Sequence, residues 1–194
     1  EGARTEADVV LGLDTNLTAM AADTGLFALH GREDMLFEMP VAWEDPMFLP
    51  YDWGYFAFVH DTQVMPEPPA NFEELIALPD DVKIVIQDPR SSTPGLGLLL
   101  WVKAAYGGRA PETCEGLAPH VLTVTKGWSE AYGMFLEGEA DMVLSYTTSP
   151  AYHLIAEGDD SKAAARCEEG HYMQIEVGGV IASSDQLELE QDFL

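Results

Sequence analysis

The stretch QDPRSSTPGLGLLLW, at residues 87–101, is the part of the sequence that best predicts the fold. It overlaps the end of VKIVIQ at residues 82–87, an apolar and β-branched run typical of a buried strand. It continues as a mostly apolar helix, with Ser/Thr N-cap types at residues 91–93 and Pro94 in the first turn. Hydroxyl and backbone N–H groups therefore gather at a helix N-terminus, which suits an anion. An ordinary capped helix without a ligand would give the same pattern.

Strand and helix patterns alternate along the rest of the chain, which predicts an α/β fold with a mostly parallel sheet. Strands are predicted at residues 7–13, 51–60, 82–87, 121–125, 141–145 and 171–178. Helices are predicted at 16–24, 71–78, 93–106, 111–117, 127–136 and 150–156, with a last one from Ser184.

A Pro-rich connector at residues 61–70 and a return of the chain near Tyr146 predict two lobes. We expect residues 1–61 to form part of lobe 1, residues 62–146 to form lobe 2, and residues 147–194 to return to lobe 1. Neither flank closes a sheet by itself, and the chain begins EGARTE without Met. We therefore expect a fragment of a longer protein that extends at both ends.

The composition excludes some classes of partner. The chain has 194 residues, with 34 acidic against 9 basic side chains and a formal charge of −25. Nucleic acids and anionic membrane surfaces need basic patches, so neither is expected as a partner. No apolar run is long enough to span a membrane. Cys114 and Cys167 lack metal-site spacing and are expected to be free.

Motifs for catalysis are scarce. The five histidines have no metal-site spacing, and there is no GxSxG elbow, Walker loop or GxGxxG after a strand. We therefore predict no catalytic residue, no metal and no cofactor.

Three polar and aromatic clusters each follow a predicted strand. They contain Ser92 and Thr93, then Trp128 in KGWS, and then the hydroxyl and tyrosine residues of SYTTSPAY at 145–152. Ligands of open α/β sheets bind at the carboxyl ends of strands, so the three clusters predict one pocket. Hydroxyl and amide groups suit anionic oxygen, whereas flat aromatic faces suit stacking or a cation. The predicted ligand is aromatic or cationic at one end and anionic or polar at the other.

Six segments together closely resemble the thiamine-binding periplasmic proteins of bacterial ABC transporters. They are ADVVLGLD (7–14), TGLF (24–27), GYFAFV (54–59), QDPRSSTPGLGLLLW (87–101), TVTKGWSEAYG (123–133) and VLSYTTSPAYH (143–153). The likeness runs almost end to end and covers the middle of that family's chain. It implies the type II-like periplasmic binding protein fold, in which two lobes are joined by crossing strands and close on ligand about a hinge.

The resemblance also implies a function and a set of site residues. It implies a periplasmic solute-binding protein without catalysis, which captures thiamine, thiamine monophosphate or thiamine diphosphate and delivers thiamine to a membrane permease. By motif, Ser92 and Thr93 would hold the phosphate or hydroxyethyl end, and Trp128 would contact a ring. Tyr146, Thr147, Thr148 and Ser149 would line the site, with Tyr152 as an aromatic wall.

Two alternatives remain open at this stage. Paired tyrosines would also suit a ferric-ion-binding protein of the same fold, and acids with aromatic residues would suit a polyamine-binding one. A ferric site would need a His or acid near Tyr146 and Tyr152, and His153 is expected to point elsewhere on a helix. An enzyme of thiamine or phosphate-ester metabolism would need a nucleophile, and neither cysteine lies in an activating motif.

Overall fold

The computed structural model describes residues 5–32 and 34–186 together with Phe193. Its strands are β1 (Val9–Asp14), β2 (Phe48–Asp61), β3 (Ile84–Gln87), β4 (Val121–Thr125), β5 (Met142–Tyr146), β6 (Lys162–Ala164) and β7 (Met173–Val180). Its α-helices are α1 (Thr18–Asp23), α2 (Phe72–Ile76), α3 (Thr93–Tyr106), α4 (Ala110–Leu117), α5 (Trp128–Leu136) and α6 (Ser149–Tyr152). A π-helical turn, His153–Glu157, follows α6 directly.

The structure divides the chain into two compact units whose boundaries differ from the predicted ones. Unit 1 comprises residues 1–53 and 174–194, and unit 2 comprises residues 54–173. The predicted boundaries assigned residues 54–61 and 147–173 to the first lobe. Within unit 2, however, β2 pairs with β5 over residues 56–60 and with β6 over residues 59–61. A three-residue strand such as β6 is too short to show a predictive pattern.

The sheet of unit 2 has the strand order β6-β2-β5-β3-β4. Strand β3 runs parallel to both β4 and β5, whereas β2 is antiparallel to β5 and β6. The predicted α/β class is confirmed, but the prediction of mostly parallel sheets is wrong: in the described part of the chain, β3–β4 and β3–β5 are parallel, whereas β1–β7, β2–β5 and β2–β6 are antiparallel. Because β3, β4 and β5 run in the same direction, their carboxyl ends share one edge of the sheet. The register Phe56↔Tyr146 brings Phe56, in the middle of β2, to the same edge.

Helix α3 packs closely on this sheet because of its two glycines. A Cβ added at Gly97 would lie 2.1 Å from the ring of Phe56, and one at Gly95 would lie 2.3 Å from the carbonyl oxygen of Gln87. No side chain fits at either position, so the GLG motif allows the helix N-terminus to approach the end of β3. Phe56 belongs to the buried core of unit 2, together with Phe58, Phe72, Trp101 and Leu144.

Unit 1 is organised by the antiparallel pairing of β1 with β7, for example Val9↔Val180. The rings of Phe27 and Phe48 pack edge to face at 4.9 Å. Buried His30 donates from Nε2 to the carbonyl oxygen of Asp45, at 2.8 Å. The His30 side chain is therefore hydrogen-bonded within unit 1.

Three smaller predictions can be compared with the structure. The predicted helix at 150–156 is divided between α6 and the π-helical turn. The helix predicted from Ser184 falls, beyond residue 186, outside the described residues. Cys114 and Cys167 are free. None of the helices in the described part of the chain has the length and hydropathy that a membrane span requires.

Candidate functional site

The loops that follow β3 and β4 are joined to each other at the carboxyl edge of the unit 2 sheet. The backbone N–H of Asp88 donates to the carbonyl oxygen of Thr125 at 2.8 Å. The Ser91 hydroxyl donates to the carbonyl oxygen of Lys126, also at 2.8 Å. These two bonds hold the N-terminus of α3 beside the start of α5.

Ser92 is the N-cap residue of α3, with an extended backbone (φ −139°, ψ 130°). Its N–H donates to the carbonyl oxygen of Asp88 at 3.0 Å, which fixes the entry into the helix. Within the described chain, the Ser92 side chain makes no capping hydrogen bond. Pro94 has no N–H, but the N–H groups of Thr93 and Gly95 in the first helical turn have no intrahelical acceptor. The half-buried Ser92 and Thr93 therefore lie beside donors that suit an anion.

Arg90 lies in the same loop and is paired. Its guanidinium donates from Nε and Nη2 to the Asp88 carboxylate, at 2.9 and 2.6 Å. The hydrogen bond from Arg90 lowers the pKa of Asp88 to about 2. Both side chains therefore stay ionised at neutral pH. The positive charge of Arg90 beside the helix N-terminus is compensated by the Asp88 carboxylate.

Trp128 begins α5 and has one face open to solvent. The side chain remains 37% exposed. Its indole N–H donates to the Ser145 hydroxyl at 2.7 Å, and its ring stacks on Tyr132 with centroids 4.9 Å apart. The edge and one face of the indole are thus held by the protein, and the other face is available to a flat ligand.

The turn after β5 is held by hydroxyl groups. The hydroxyls of Ser145 and Ser149 hydrogen-bond each other at 2.7 Å, and the N–H of Tyr146 donates to Ser149 at 3.3 Å. The N–H of Thr147 donates to the carbonyl oxygen of Tyr55 at 2.9 Å, which ties the turn to β2. Ser145 therefore couples the position of Trp128 to that of the turn.

The two tyrosines of this segment differ in burial. Tyr146 is half-buried, and its ring lies 5.3 Å from that of Phe56. Tyr152 is 64% exposed and meets the ring of His153 edge to face at 5.7 Å. Thr148 is the exposed N-cap residue of α6.

His153 is a buried side chain that hydrogen-bonds two other side chains. It is 2% exposed. Its Nε2 accepts from the Tyr132 hydroxyl at 3.0 Å, and its Nδ1 donates to the Glu157 carboxylate at 2.7 Å. Burial, and then the charge of Glu157, raise the pKa of Tyr132 to about 12, so this phenol stays protonated and remains a donor. Among the described residues, no group of three or more His, Cys, Asp or Glu side chains is placed to hold a metal ion.

The eight residues predicted for the site lie on the three loops at this edge or on the helices that begin there. They are Ser92, Thr93, Trp128, Tyr146, Thr147, Thr148, Ser149 and Tyr152. These eight residues do not include Ser145, Tyr132 and His153, which are buried. The sequence predicts Ser145 only as part of the SYTTSPAY cluster, and His153 is expected to point away from the site. All three occur inside quoted motifs, but nothing in the local pattern shows that they contact Trp128 or one another.

Comparison with known proteins gives three findings. No family model matches the chain. The chain is 53% identical over all 194 residues to the thiamine-binding periplasmic protein of Escherichia coli (strain K12), and it spans 59% of that relative's length. A solved periplasmic thiamin binding protein superposes with a TM-score of 0.95 at 52% identity, covering all of this chain and 61% of that one. The resemblance predicted from the motifs is therefore confirmed.

A more distant structure supports the fold alone. The periplasmic binding protein AfuA from Actinobacillus pleuropneumoniae covers the whole chain with a TM-score of 0.83 at 18% identity, and the chain covers 63% of it. The predicted type II-like periplasmic binding protein fold is confirmed by these likenesses.

Proposed function

We propose that this chain belongs to the thiamine-binding periplasmic proteins, and that the whole protein captures thiamine and its phosphate esters for an ABC importer. The observation that carries this proposal is the open face of Trp128. That face lies at the same sheet edge as the N-terminus of α3, so an aromatic site and an anion site occur together. The identity to a thiamine-binding relative along the full chain supports the same ligand.

The chemistry of thiamine fits the two ends of this site. Its pyrimidine and cationic thiazolium rings can stack on an indole or a phenol, and a cation gains further from the negative faces of aromatic rings. Its hydroxyethyl arm, which carries the phosphate in the esters, needs hydrogen-bond donors. Ser92, Thr93 and the free amides of α3 supply such donors near the positive end of the helix dipole.

The geometry favours thiamine over a ferric ion. A ferric site would need His153 or an acid to join Tyr146 and Tyr152. Both ring nitrogens of His153 are already engaged, by Tyr132 and by Glu157. The histidine is therefore committed to the interior of unit 2, and the exposed aromatic faces are left for an organic ligand.

The proposed role is reversible binding without covalent chemistry. A binding protein of an importer holds its ligand through contacts that break on release, and the proposed contacts are stacking and hydrogen bonds. We propose a periplasmic location, in keeping with the names of the relatives. A membrane permease is the partner that the family resemblance implies, and we propose it as such.

Calorimetric titration tests this function. Thiamine, thiamine monophosphate and thiamine diphosphate are titrated into this chain and into a protein extended to the length of the relatives. We expect saturable 1:1 binding of thiamine by the extended protein. If the extended protein binds ferric citrate or spermidine instead, and shows no heat with any thiamine species, the proposal is wrong.

A further inference from the structure

Behind the exposed ring of Trp128 lies a column of aromatic rings. Trp128 stacks on Tyr132 at 4.9 Å and 25°. Tyr132 in turn stacks on His153 at 5.7 Å and 11°. The column runs from the open face of the indole into the interior of unit 2, so the orientation of the outer ring depends on the two rings beneath it.

Hydrogen bonds fix the inner part of this column. The Tyr132 hydroxyl donates to Nε2 of His153, and Nδ1 of His153 donates to Glu157. An imidazole that accepts at one nitrogen and donates at the other has a single defined tautomer and ring orientation. Glu157 lies four residues after His153 within one π-helical turn, and its side chain is 49% exposed. This series of hydrogen bonds therefore ends at the Glu157 carboxylate, which water also solvates.

His153 also reaches the second aromatic wall of the site. The ring of Tyr152 meets it edge to face at 5.7 Å. A single buried side chain thus contacts Tyr152 directly and Trp128 through Tyr132. Turns of π-helix are uncommon and occur frequently at functional sites. The π-helical turn here begins at His153 itself.

We infer that His153 is a positioning residue that sets the spacing and tilt of the aromatic walls of the ligand site, an inference that rests on the proposed function. His153 touches no ligand in this scheme. It holds Tyr132 under Trp128, while the Ser145 hydroxyl holds the edge of the indole. With its edge and inner face both held, the outer face of the indole is preorganised for a flat ring, and binding loses less rotamer entropy.

The experiment uses the whole protein and two measurements. The first is the dissociation constant of thiamine, from calorimetry. The second is the indole N–H resonance of Trp128 in ligand-free protein, from ¹H–¹⁵N NMR, assigned by its absence in Trp128→Phe. The variants are Tyr132→Phe, His153→Ala and His153→Gln. Glutamine keeps an acceptor for the Tyr132 hydroxyl, so it is the conservative replacement.

Tyr106→Phe is the matched control. It also removes a tyrosine hydroxyl that donates to a partner, here Glu169. Tyr106 ends α3, about 20 Å along that helix from Ser92. This variant is expected to leave both the thiamine dissociation constant and the Trp128 resonance unchanged.

We expect Tyr132→Phe and His153→Ala to shift or broaden the Trp128 resonance and to weaken thiamine binding by about threefold to tenfold, the cost of immobilising a freed side chain on binding. His153→Gln is expected to recover most of the affinity. Variants that fold, keep the wild-type resonance and bind as wild type would overturn the inference. An equal loss in Tyr106→Phe would overturn it too, since it would indicate a general loss of stability.

The experiment still tests the positioning role of His153 if one variant does not fold, or if the proposed function is wrong. If His153→Ala does not fold, Tyr132→Phe decides, because it removes one oxygen atom and keeps the ring. If the wild-type protein binds no thiamine species, the proposed function fails. The resonance in ligand-free protein then still decides: a shift in Tyr132→Phe supports the positioning role, and an unmoved resonance overturns it.

Discussion

Replacing Trp128 by alanine tests the aromatic end of the proposed site most directly. In the structure the indole keeps 37% of its surface exposed, while its other face rests on Tyr132. For a side chain of roughly 250 Å², this leaves about 90 Å² for a ligand to cover. A thiamine ring that lies on the open face would remove much of that area from water.

The expected loss of affinity follows from this area. At about 25 cal/mol per Å², covering between half and all of the open surface contributes roughly 1–2 kcal/mol. Stacking or the attraction between a cation and the ring adds about 0.5–1 kcal/mol. We therefore expect Trp128→Ala to cost about 2 kcal/mol of binding free energy, or roughly thirtyfold in the Kd for thiamine.

The assay is calorimetric titration of thiamine into the whole protein, with unfolding temperatures measured in parallel. Leu136→Ala is the matched control, because Leu136 is also an exposed apolar residue and lies at the other end of α5, about 12 Å along the helix. Trp128→Phe is expected to lose less than Trp128→Ala, since it keeps a ring face. A Trp128→Ala protein that folds and binds thiamine within twofold of wild type would remove Trp128 from the site.

Three further predictions concern the anion end, the packing of α3 and the free thiols. Ser92→Ala is expected to weaken thiamine monophosphate by about 1.5–3 kcal/mol and thiamine by less, since hydrogen bonds to a charged group are the stronger ones; equal losses in the two titrations would place the phosphate elsewhere. Gly97→Ala should lower the free energy of unfolding by at least about 2 kcal/mol in urea denaturation, because its Cβ would lie 2.1 Å from Phe56. Gly133→Ala, where no described atom lies within 4 Å of the added Cβ, should instead raise it by about 0.5–1 kcal/mol; a stable Gly97→Ala protein would contradict the packing. Burial, and then the hydrogen bond to Glu169, raise the pKa of Cys167 to about 12, so its thiol stays protonated at pH 8. Iodoacetamide should alkylate it about a thousandfold more slowly in the folded than in the urea-unfolded protein, by peptide mass spectrometry, and similar rates would refute the raised pKa.

Several elements could be predicted because neighbouring residues determine them. Helix α3 spans Thr93–Tyr106 as predicted, since an N-cap type precedes it and Gly107, with φ 58°, ends it. Strand β4 also has the predicted bounds, Val121–Thr125. The loops that follow the parallel strands could therefore be located, and with them the eight predicted site residues.

The boundaries of the two units could not be predicted from the sequence. They depend on two strand pairings of β2. Residues 56–60 of β2 pair with β5, and the three residues of β6, which have no strand pattern, become a strand only by pairing with β2. The unit to which residues 147–173 belong depends on the strand with which β6 pairs. That strand is β2, which lies about a hundred residues earlier in the sequence.

The sequence by itself determined the α/β class, the main strand–loop–helix units and which of their loops carry the eight predicted site residues, because short-range backbone preferences and capping act between close neighbours. Only the tertiary structure decided what supports those residues. Trp128 hydrogen-bonds Ser145, which is 17 residues away in the sequence, and Tyr132 hydrogen-bonds His153, which is 21 residues away. Such pairs form when the sheet and its helices pack, and burial then favours a hydrogen-bond partner for each polar atom. No local pattern specifies which partner that will be.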